Sequence, residues 1–219
     1  MYTREQLERY PYFAEKLRET DLNNLLDELT GLVSRGHILW FVQWLIVREI
    51  PFSFAMLDLD NFKYINDTYG HAVGDQVLCQ IAGNLADFLG DRGLVGRFGG
   101  DEMLIVNLKD VTYEDNKRFF VTMYDGEVVR KDIRLADCST YVTGTVGCAS
   151  FPKDTTDYNE LFEMIDKTLY RGKLKGRNCY IIYVEEKHKD IDIRQIARHG
   201  MYTSLKNLIR DRKSTRLNS

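Results

Sequence analysis

Two short segments hold the residues whose types and spacing could do chemistry. Residues 96–103 read Gly-Arg-Phe-Gly-Gly-Asp-Glu-Met, and residues 57–60 read Leu-Asp-Leu-Asp. In the first, Asp101 and Glu102 follow Gly99 and Gly100 between apolar runs at 94–95 and 103–106. Two apolar runs joined through Gly-Gly read as a hairpin, because glycine supplies the positive φ values of tight turns. The carboxylates then sit at its mouth, and the glycines let a bulky anion approach the backbone. In the second segment a strand-length apolar run, 52–57, ends abruptly in Asp58, with Asp60 two residues later. A carboxylate at the end of a buried strand is costly unless it is paired or bound to a cation. Side chains alternate along a strand, so Asp58 and Asp60 face the same way if the strand continues. Asp58 with Asp101 makes a hard-oxygen set of the kind Mg²⁺ takes together with substrate phosphates. A surface hairpin and an Asp/Asn-rich turn would use the same residues, so neither segment decides the matter alone.

The elements that must position these groups follow from periodicity. Helices are expected at 4–18, at 21–29 with Leu22, Leu25, Leu26 and Leu29 on one face, and at 35–49, which is rich in aromatics. After the strand at 52–58 comes a loop carrying Asn66, Gly70, His71 and Gly74, then a helix at 73–89 with Val77, Leu78, Ile81 and Leu85 on one face. The hairpin at 94–107, a helix near 113–124, a strand or hairpin at 139–151, a helix at 157–174 and a strand at 178–184 complete the domain. Strands alternating with helices indicate an α/β fold, helices packed on a central sheet.

Composition narrows the function classes without choosing one. The 219 residues suffice for one domain with a full core and some extra elements. A net charge of −3 gives no basic field for nucleic acid. The four cysteines, Cys79, Cys138, Cys148 and Cys179, show no metal spacing and read as reduced, mostly buried thiols of a cytoplasmic protein. The four histidines form no ligand cluster. No apolar run reaches the length of a membrane span, and no signal-peptide pattern opens the chain. Beyond Asp192 the tail carries seven basic residues (Arg194, Arg198, Lys206, Arg210, Arg212, Lys213, Arg216) against Asp211, on an amphipathic pattern read as a solvated helix. The final Lys-Ser-Thr-Arg-Leu-Asn-Ser reads as non-native.

Taken together, the separated motifs resemble the GGDEF family of diguanylate cyclases. The match runs from Asp58-Leu-Asp-Asn-Phe-Lys-Tyr-Ile-Asn66 through Gly70-His71, Gly74-Asp75 and Arg97-x-Gly99-Gly100-Asp101-Glu102. It continues with Gly144-Thr-Val-Gly147 and Asp166-x-x-Leu169-Tyr170-x-x-Lys173-x-x-Gly176-Arg177-Asn178, and an earlier Asp27-Glu-Leu-Thr-Gly31-Leu-x-Ser-Arg35 resembles the element that opens that domain. Four motifs in the right order make chance an unlikely source. The resemblance implies a mixed central sheet flanked by helices, like the palm of nucleotidyl cyclases and polymerases. It divides the chain into a helical leader at 1–26, the cyclase domain at 27–184 and the basic tail at 185–219.

The resemblance also implies an activity: two GTP condense to cyclic di-GMP, a bacterial second messenger, with loss of two pyrophosphates, each copy of a homodimer holding one GTP. Asp58, Asp101 and the Leu59 carbonyl would bind Mg²⁺, for which Mn²⁺ could substitute. Glu102 would lie near the reacting hydroxyl. Lys173 and Arg177 would hold the β- and γ-phosphates, and their i, i+4 spacing puts them on one face if the helix continues; a basic helix end favoured by the dipole would look the same. Asn66 and Asp75 match the guanine-reading pair, since a carboxylate can accept from both N1–H and N2–H₂ of guanine but finds an acceptor at N1 of adenine. Phe62 and Lys63 would line the ribose and phosphate side, while Gly70, His71 and Gly74 shape the loop. Alternatives are a GTP-binding regulatory module without turnover, and a fragment of a longer signalling protein with its upstream or downstream domain missing.

Two departures stand out. Met103 replaces the phenylalanine of the signature, at a position expected to be packed, where a flexible apolar side chain is tolerated. The Arg-x-x-Asp pattern of the family's product-inhibition site would fall at positions 90 and 93, and both are glycine here.

Overall fold

The structure, a computed structural model, describes residues 1–134 and 139–191. These fall into two units, Met1–Tyr183 and a second beginning at Val184. Cys138 and the basic tail beyond 191 lie outside the described residues.

The first unit opens with three short helices, α1 (Arg4–Glu8), α2 (Pro11–Glu19) and α3 (Leu22–Leu25), then α4 (Arg35–Val47). A central strand, β1 (Phe52–Leu59), leads into α5 (Phe62–Tyr69) and α6 (His71–Leu89). The hairpin β2 (Gly93–Gly99) and β3 (Glu102–Asn107) is followed by α7 (Tyr113–Asp125), a small hairpin of β4 (Lys131–Arg134) and β5 (Ser139–Val142), then β6 (Gly144–Phe151), α8 (Tyr158–Leu174) and β7 (Tyr180–Ile182). Five strands form one sheet in the order β2-β3-β1-β6-β7, antiparallel except for the parallel β6/β7 pair. This is the mixed sheet expected. β1 sits in the middle and every one of its residues is buried, which is why its sequence reads as an unbroken apolar run.

Aromatic contacts define the two faces of the sheet. Phe162 of α8 packs on Phe54 (ring centroids 4.9 Å apart) and on Phe98 (6.3 Å), so α8 covers the face carrying the even-numbered residues of β1. On the other face Asn116 of α7 donates to Ser53 and Ser150, and Phe119 of α7 meets Phe88 of α6.

The leader belongs to this unit. Edge strand β2 would otherwise present unpaired backbone groups. Tyr10 donates its hydroxyl proton to the Gly93 carbonyl at 2.8 Å, the Tyr2 hydroxyl accepts from the Val95 amide at 2.8 Å, and Val33 bridges to Gly96.

Several expectations are corrected. Residues 4–18 form two helices, broken at Tyr10-Pro11, and 21–29 gives only one turn before the chain extends. Residues 62–69, expected as loop, form α5, because Asn61 adopts a left-handed conformation (φ 57°) that redirects the chain straight from β1 into a helix. β5 pairs with β4, not β6. Cysteine burial is less complete than expected: Cys148 is buried, whereas Cys79 and Cys179 are partly exposed. Met103 is fully buried, as its position required. In the second unit, the single turn α9 (Glu185–His188) is closed by the Val184 amide donating to His188 Nδ1 at 2.9 Å.

Candidate active site

The reactive groups gather where β1 ends beside the β2–β3 turn. Asp58 lies in register with Glu102 across β1/β3 and with Thr145 across β1/β6. The Leu59 amide donates to the Asp101 carbonyl at 3.3 Å, tying the glycine turn to the strand end. Gly100 holds φ at 53°, and a side chain at either Gly99 or Gly100 would meet nothing within 4 Å. The turn therefore leaves open space at the two glycines that precede Asp101.

Three neighbouring carboxylates are poorly compensated. Burial pushes Asp58 up to about 6, with Lys173 opposing and Asp101 and Asp60 adding repulsion. Glu102 rises to about 7, again chiefly through burial, then through Asp58 and Asp101. Asp101 is raised by burial as well. The cation at hand is Lys173, in the last turn of α8, whose Nζ lies 2.6 Å from Asp58 Oδ2. That close pair does not restore an ordinary carboxylate pKa, because the burial and like-charge repulsion act on Asp58 together. Such an excess of buried negative charge fits a divalent cation held by Asp58, Asp101 and the Leu59 carbonyl, hard oxygen donors of the type Mg²⁺ selects. The donor set is sparse: among the described residues no three His, Cys, Asp or Glu side chains converge as a ready-made cage. Substrate phosphates would have to complete it.

Asp60 does not join this group. The strand stops at Leu59, and Asp60 turns into a pocket where its carboxylate accepts from Thr143 Oγ1 (2.8 Å), Thr145 Oγ1 (2.7 Å) and the Asn178 amide (2.9 Å). It fastens the α8–β7 turn to the end of β1.

That turn carries a second correction. α8 ends at Leu174, and Gly176, Arg177 and Asn178 all adopt positive φ (108°, 67° and 47°). Lys173 and Arg177 therefore do not share a helix face. Lys173 points inward at Asp58, and Arg177 stands exposed on a left-handed turn whose amide donates to Gly172.

The residues matched to guanine reading lie on two consecutive helices. A Cβ on Gly74 would come within 1.9 Å of Asn66 Oδ1, so the carboxamide of α5 rests directly on α6 at that glycine. Asp75, the next residue, is exposed in the first turns of α6. Phe62 is buried under α5. Lys63 stands apart: it is exposed, 3.5 Å from Asp67, and lines an open cleft of about 540 Å³ with Asn61, Tyr64 and Asp67.

Sequence reasoning passed over three supporting groups. Asp166 on α8 is buried, pushed up to about 8 by burial and then by Glu102. Asp27 accepts from Arg97 Nη1 at 3.2 Å and from the Thr30 amide and hydroxyl at 2.8 and 2.7 Å, while Arg97 Nη2 donates to the Gly100 carbonyl at 3.0 Å. Burial alone would raise Asp27, but Thr30 and Arg97 hold it below the usual carboxylate range. Arg35 is the third, its guanidinium carbon 4.6 Å above the centre of the Phe98 ring. All three stand in the quoted motifs, but a motif shows only that they recur, not what they face.

The diguanylate cyclase GGDEF domain family matches residues 24–179 of this chain. The chain belongs to the GGDEF family. Among its relatives, the probable diguanylate cyclase DgcF of Escherichia coli K12 is 36% identical over 172 residues, covering 74% of this chain and 52% of DgcF. The signaling protein YkoW of Bacillus subtilis is 32% identical over 161 residues, 72% of this chain but 20% of YkoW. The chain thus spans between a fifth and about half of the length of these relatives. Among solved structures, the diguanylate cyclase SiaD of Pseudomonas aeruginosa, crystallised with its activator SiaC, superposes with a TM-score of 0.66 at 28% identity, covering 82% of this chain and 72% of that one. The coiled coil and GGDEF domain of DgcB from Caulobacter crescentus, in complex with c-di-GMP, shares the fold (TM-score 0.63, 21% identity, 79% and 93% covered).

Of the two glycines at the positions matched to the family's product site, Gly93 has a structural reason as well, whereas a Cβ on Gly90 would meet nothing within 4 Å. A Cβ on Gly93 would come within 1.9 Å of the Val106 carbonyl, so no aspartate fits that position without moving the strand. Neighbouring Asp91 pairs with Lys109 at 2.5 Å, and Arg92 lies over the Phe88 and Phe119 rings at 5.5 and 5.8 Å.

Proposed function

We propose that this GGDEF domain is a Mg²⁺-dependent diguanylate cyclase that condenses two GTP into cyclic di-GMP between two copies of the chain, in the cytoplasm. The observation that carries this reading is the set of under-compensated carboxylates, buried Asp58 with half-buried Asp101 and Glu102, at an open glycine turn. The names of several relatives support the same activity. Residues 27–184 would carry the activity.

Asp58 and Asp101, with the Leu59 carbonyl, would hold the cation, which would supply neutralisation of polyphosphate charge. Lys173, at the mouth of the site, and Arg177, exposed on the turn after α8, would hold the β- and γ-phosphates. Phosphoryl transfer of this type needs positioning and charge neutralisation more than covalent help. Glu102 is suited to take the proton of an attacking 3′-hydroxyl, because its raised pKa brings it near neutrality. Asn66 and Asp75 read the guanine edge. Phe62 lies beneath the ribose, and Lys63 serves from the outer side of α5. Gly99 and Gly100 admit the phosphates.

One half-site holds one GTP, so two copies must meet. Incubation with GTP and Mg²⁺ across a hundredfold protein dilution, with nucleotides resolved by chromatography, tests this. Cyclic di-GMP whose formation per mole of protein falls on dilution is expected. GTP binding without pyrophosphate release at any concentration would overturn the reading.

A further inference from the structure

The opening motif of the domain ends at Arg35, and the function just proposed does not use it. Arg35 is the first residue of α4, and its guanidinium lies over Phe98, the residue immediately before Gly99-Gly100. Phe98 shares with Phe54 the α8-covered face of the sheet, through their common neighbour Phe162. Asp58 has the parity of Phe54 in β1, so it lies on that same face, in register with Glu102 of β3. Two basic residues thus act on Glu102 from opposite sides: Lys173 from the last turn of α8, and Arg35 from the first turn of α4. Between them the sheet runs Phe98 on β2, Glu102 on β3 and Asp58 on β1. Lys173 is mostly buried and points at Asp58, whereas Arg35 is exposed on the outer lip.

This asymmetry has a chemical meaning under the cyclase reading, on which the inference rests. In each transfer the 3′-oxygen–phosphorus bond forms as the bond from the α-phosphorus to the β-bridging oxygen breaks. The pyrophosphate leaves with the electron pair, and the hydroxyl proton passes to Glu102. In-line geometry places the attacking oxygen opposite the leaving pyrophosphate. Lys173 marks the leaving-group side, so the second nucleotide enters from the Arg35 side. In a two-fold arrangement of two GTP molecules, each 3′-oxygen lies beside the other's α-phosphate, which brings the second α-phosphate onto that lip.

We propose that Arg35 is a further catalytic residue that acts in trans, its guanidinium contacting a non-bridging α-phosphate oxygen of the nucleotide held by the facing copy. The planar guanidinium suits phosphate oxygens, and stacking on Phe98 fixes its plane beforehand.

The test mixes two disabled variants. Arg35→Ala should bind Mg²⁺–GTP within about twofold of wild type while its turnover falls roughly 100-fold, the scale of removing one transition-state donor. Asp101→Ala should be inactive. In a mixed dimer, the intact carboxylates of the Arg35→Ala copy face the intact Arg35 of the Asp101→Ala copy. One complete half-site results, and the mixture should form the linear 5′-triphosphate dinucleotide that neither variant makes alone at a comparable rate. If Arg35 acted in cis, no half-site would be complete and the mixture would stay silent; that result overturns the proposal, as does wild-type turnover by Arg35→Ala. Arg35→Gln, which keeps most of the stem over Phe98, should repeat the pattern if the alanine variant misfolds. Wild-type protein that makes no cyclic dinucleotide would instead overturn the cyclase reading beneath it.

Discussion

Asp58 and Asp60 stand two residues apart, both buried, at the end of one strand, and their surroundings could hardly differ more. Asp60 accepts from two threonine hydroxyls and a backbone amide, each within 2.9 Å. Asp58 has one lysine, and Asp101 and Asp60 itself crowd it with like charge. The first is a carboxylate that the fold uses to fasten β1, β6 and the α8–β7 turn. The second is one that the fold tolerates in a place where it is uncomfortable, which makes physical sense if a cation arrives there with the substrate. Residue type does not distinguish them, and the donors gathered around each do.

That contrast can be broken in several places. The largest effect is expected on catalysis: Asp101→Ala should abolish detectable cyclic di-GMP synthesis while far-ultraviolet circular dichroism stays unchanged. A loss of fold instead would mean that Asp101 serves structure, as Asp60 does.

Stability should respond in the opposite sense. Asp60→Ala leaves two buried threonine hydroxyls and the Asn178 amide without their acceptor, and urea unfolding should show a loss of roughly 2–4 kcal/mol. A loss under about 0.5 kcal/mol would place Asp60 outside the load on this turn.

The pH dependence sharpens the same point. Asp58 and Glu102 have folded-state pKa values raised to about 6 and about 7, above those of an unfolded chain. Their protonated forms therefore favour the native state at low pH, and that contribution is lost as pH rises through 6 and 7. Metal-free protein should have a lower Tm at pH 8 than at pH 5.5, and Mg²⁺ should raise Tm more at pH 8. Asp58→Asn should shrink that Mg²⁺ response. A Mg²⁺ shift independent of pH would show that the cation binds elsewhere.

Base choice comes next in size. Asp75→Ser removes the carboxylate proposed to face guanine, so kcat/KM discrimination against ATP should weaken by roughly 1–3 kcal/mol. Unchanged rejection of ATP would move the reading role to Asn66 or the backbone. The smallest effect is an expected near-silence: added cyclic di-GMP should inhibit weakly and competitively, because Gly90 and Gly93 supply neither partner for it and the Val106 carbonyl fills the space at Gly93. Submicromolar, non-competitive inhibition would reveal another product site.

The sheet was legible in the sequence because its strands are apolar runs bounded by glycines and carboxylates, and β1 announces itself by being apolar throughout. α5 was not. Its only buried side chains are Phe62 and Ile65, the rest of Phe62–Tyr69 is polar, and the left-handed Asn61 that launches it leaves no periodic signal. The site residues could be named one by one, but the shape of the phosphate clamp could not. Spacing placed Lys173 and Arg177 on one helix face, whereas α8 ends at Leu174 and Arg177 is itself one of three successive positive-φ residues beyond it. Asp60 misled for the complementary reason: strand alternation aimed it with Asp58, and only Thr143 and Thr145, far along the chain but beside β1 in the sheet, show where its carboxylate goes instead.

The most direct measurement compares Asp58→Asn with Asp60→Asn, each purified, checked for folding and incubated with GTP and Mg²⁺ beside wild type. Asp58→Asn should be at least as stable as wild type in the absence of Mg²⁺ and form no cyclic di-GMP. Asp60→Asn should unfold at lower urea yet retain turnover under conditions where it is folded. Cyclic di-GMP synthesis at the wild-type rate by folded Asp58→Asn would contradict the account.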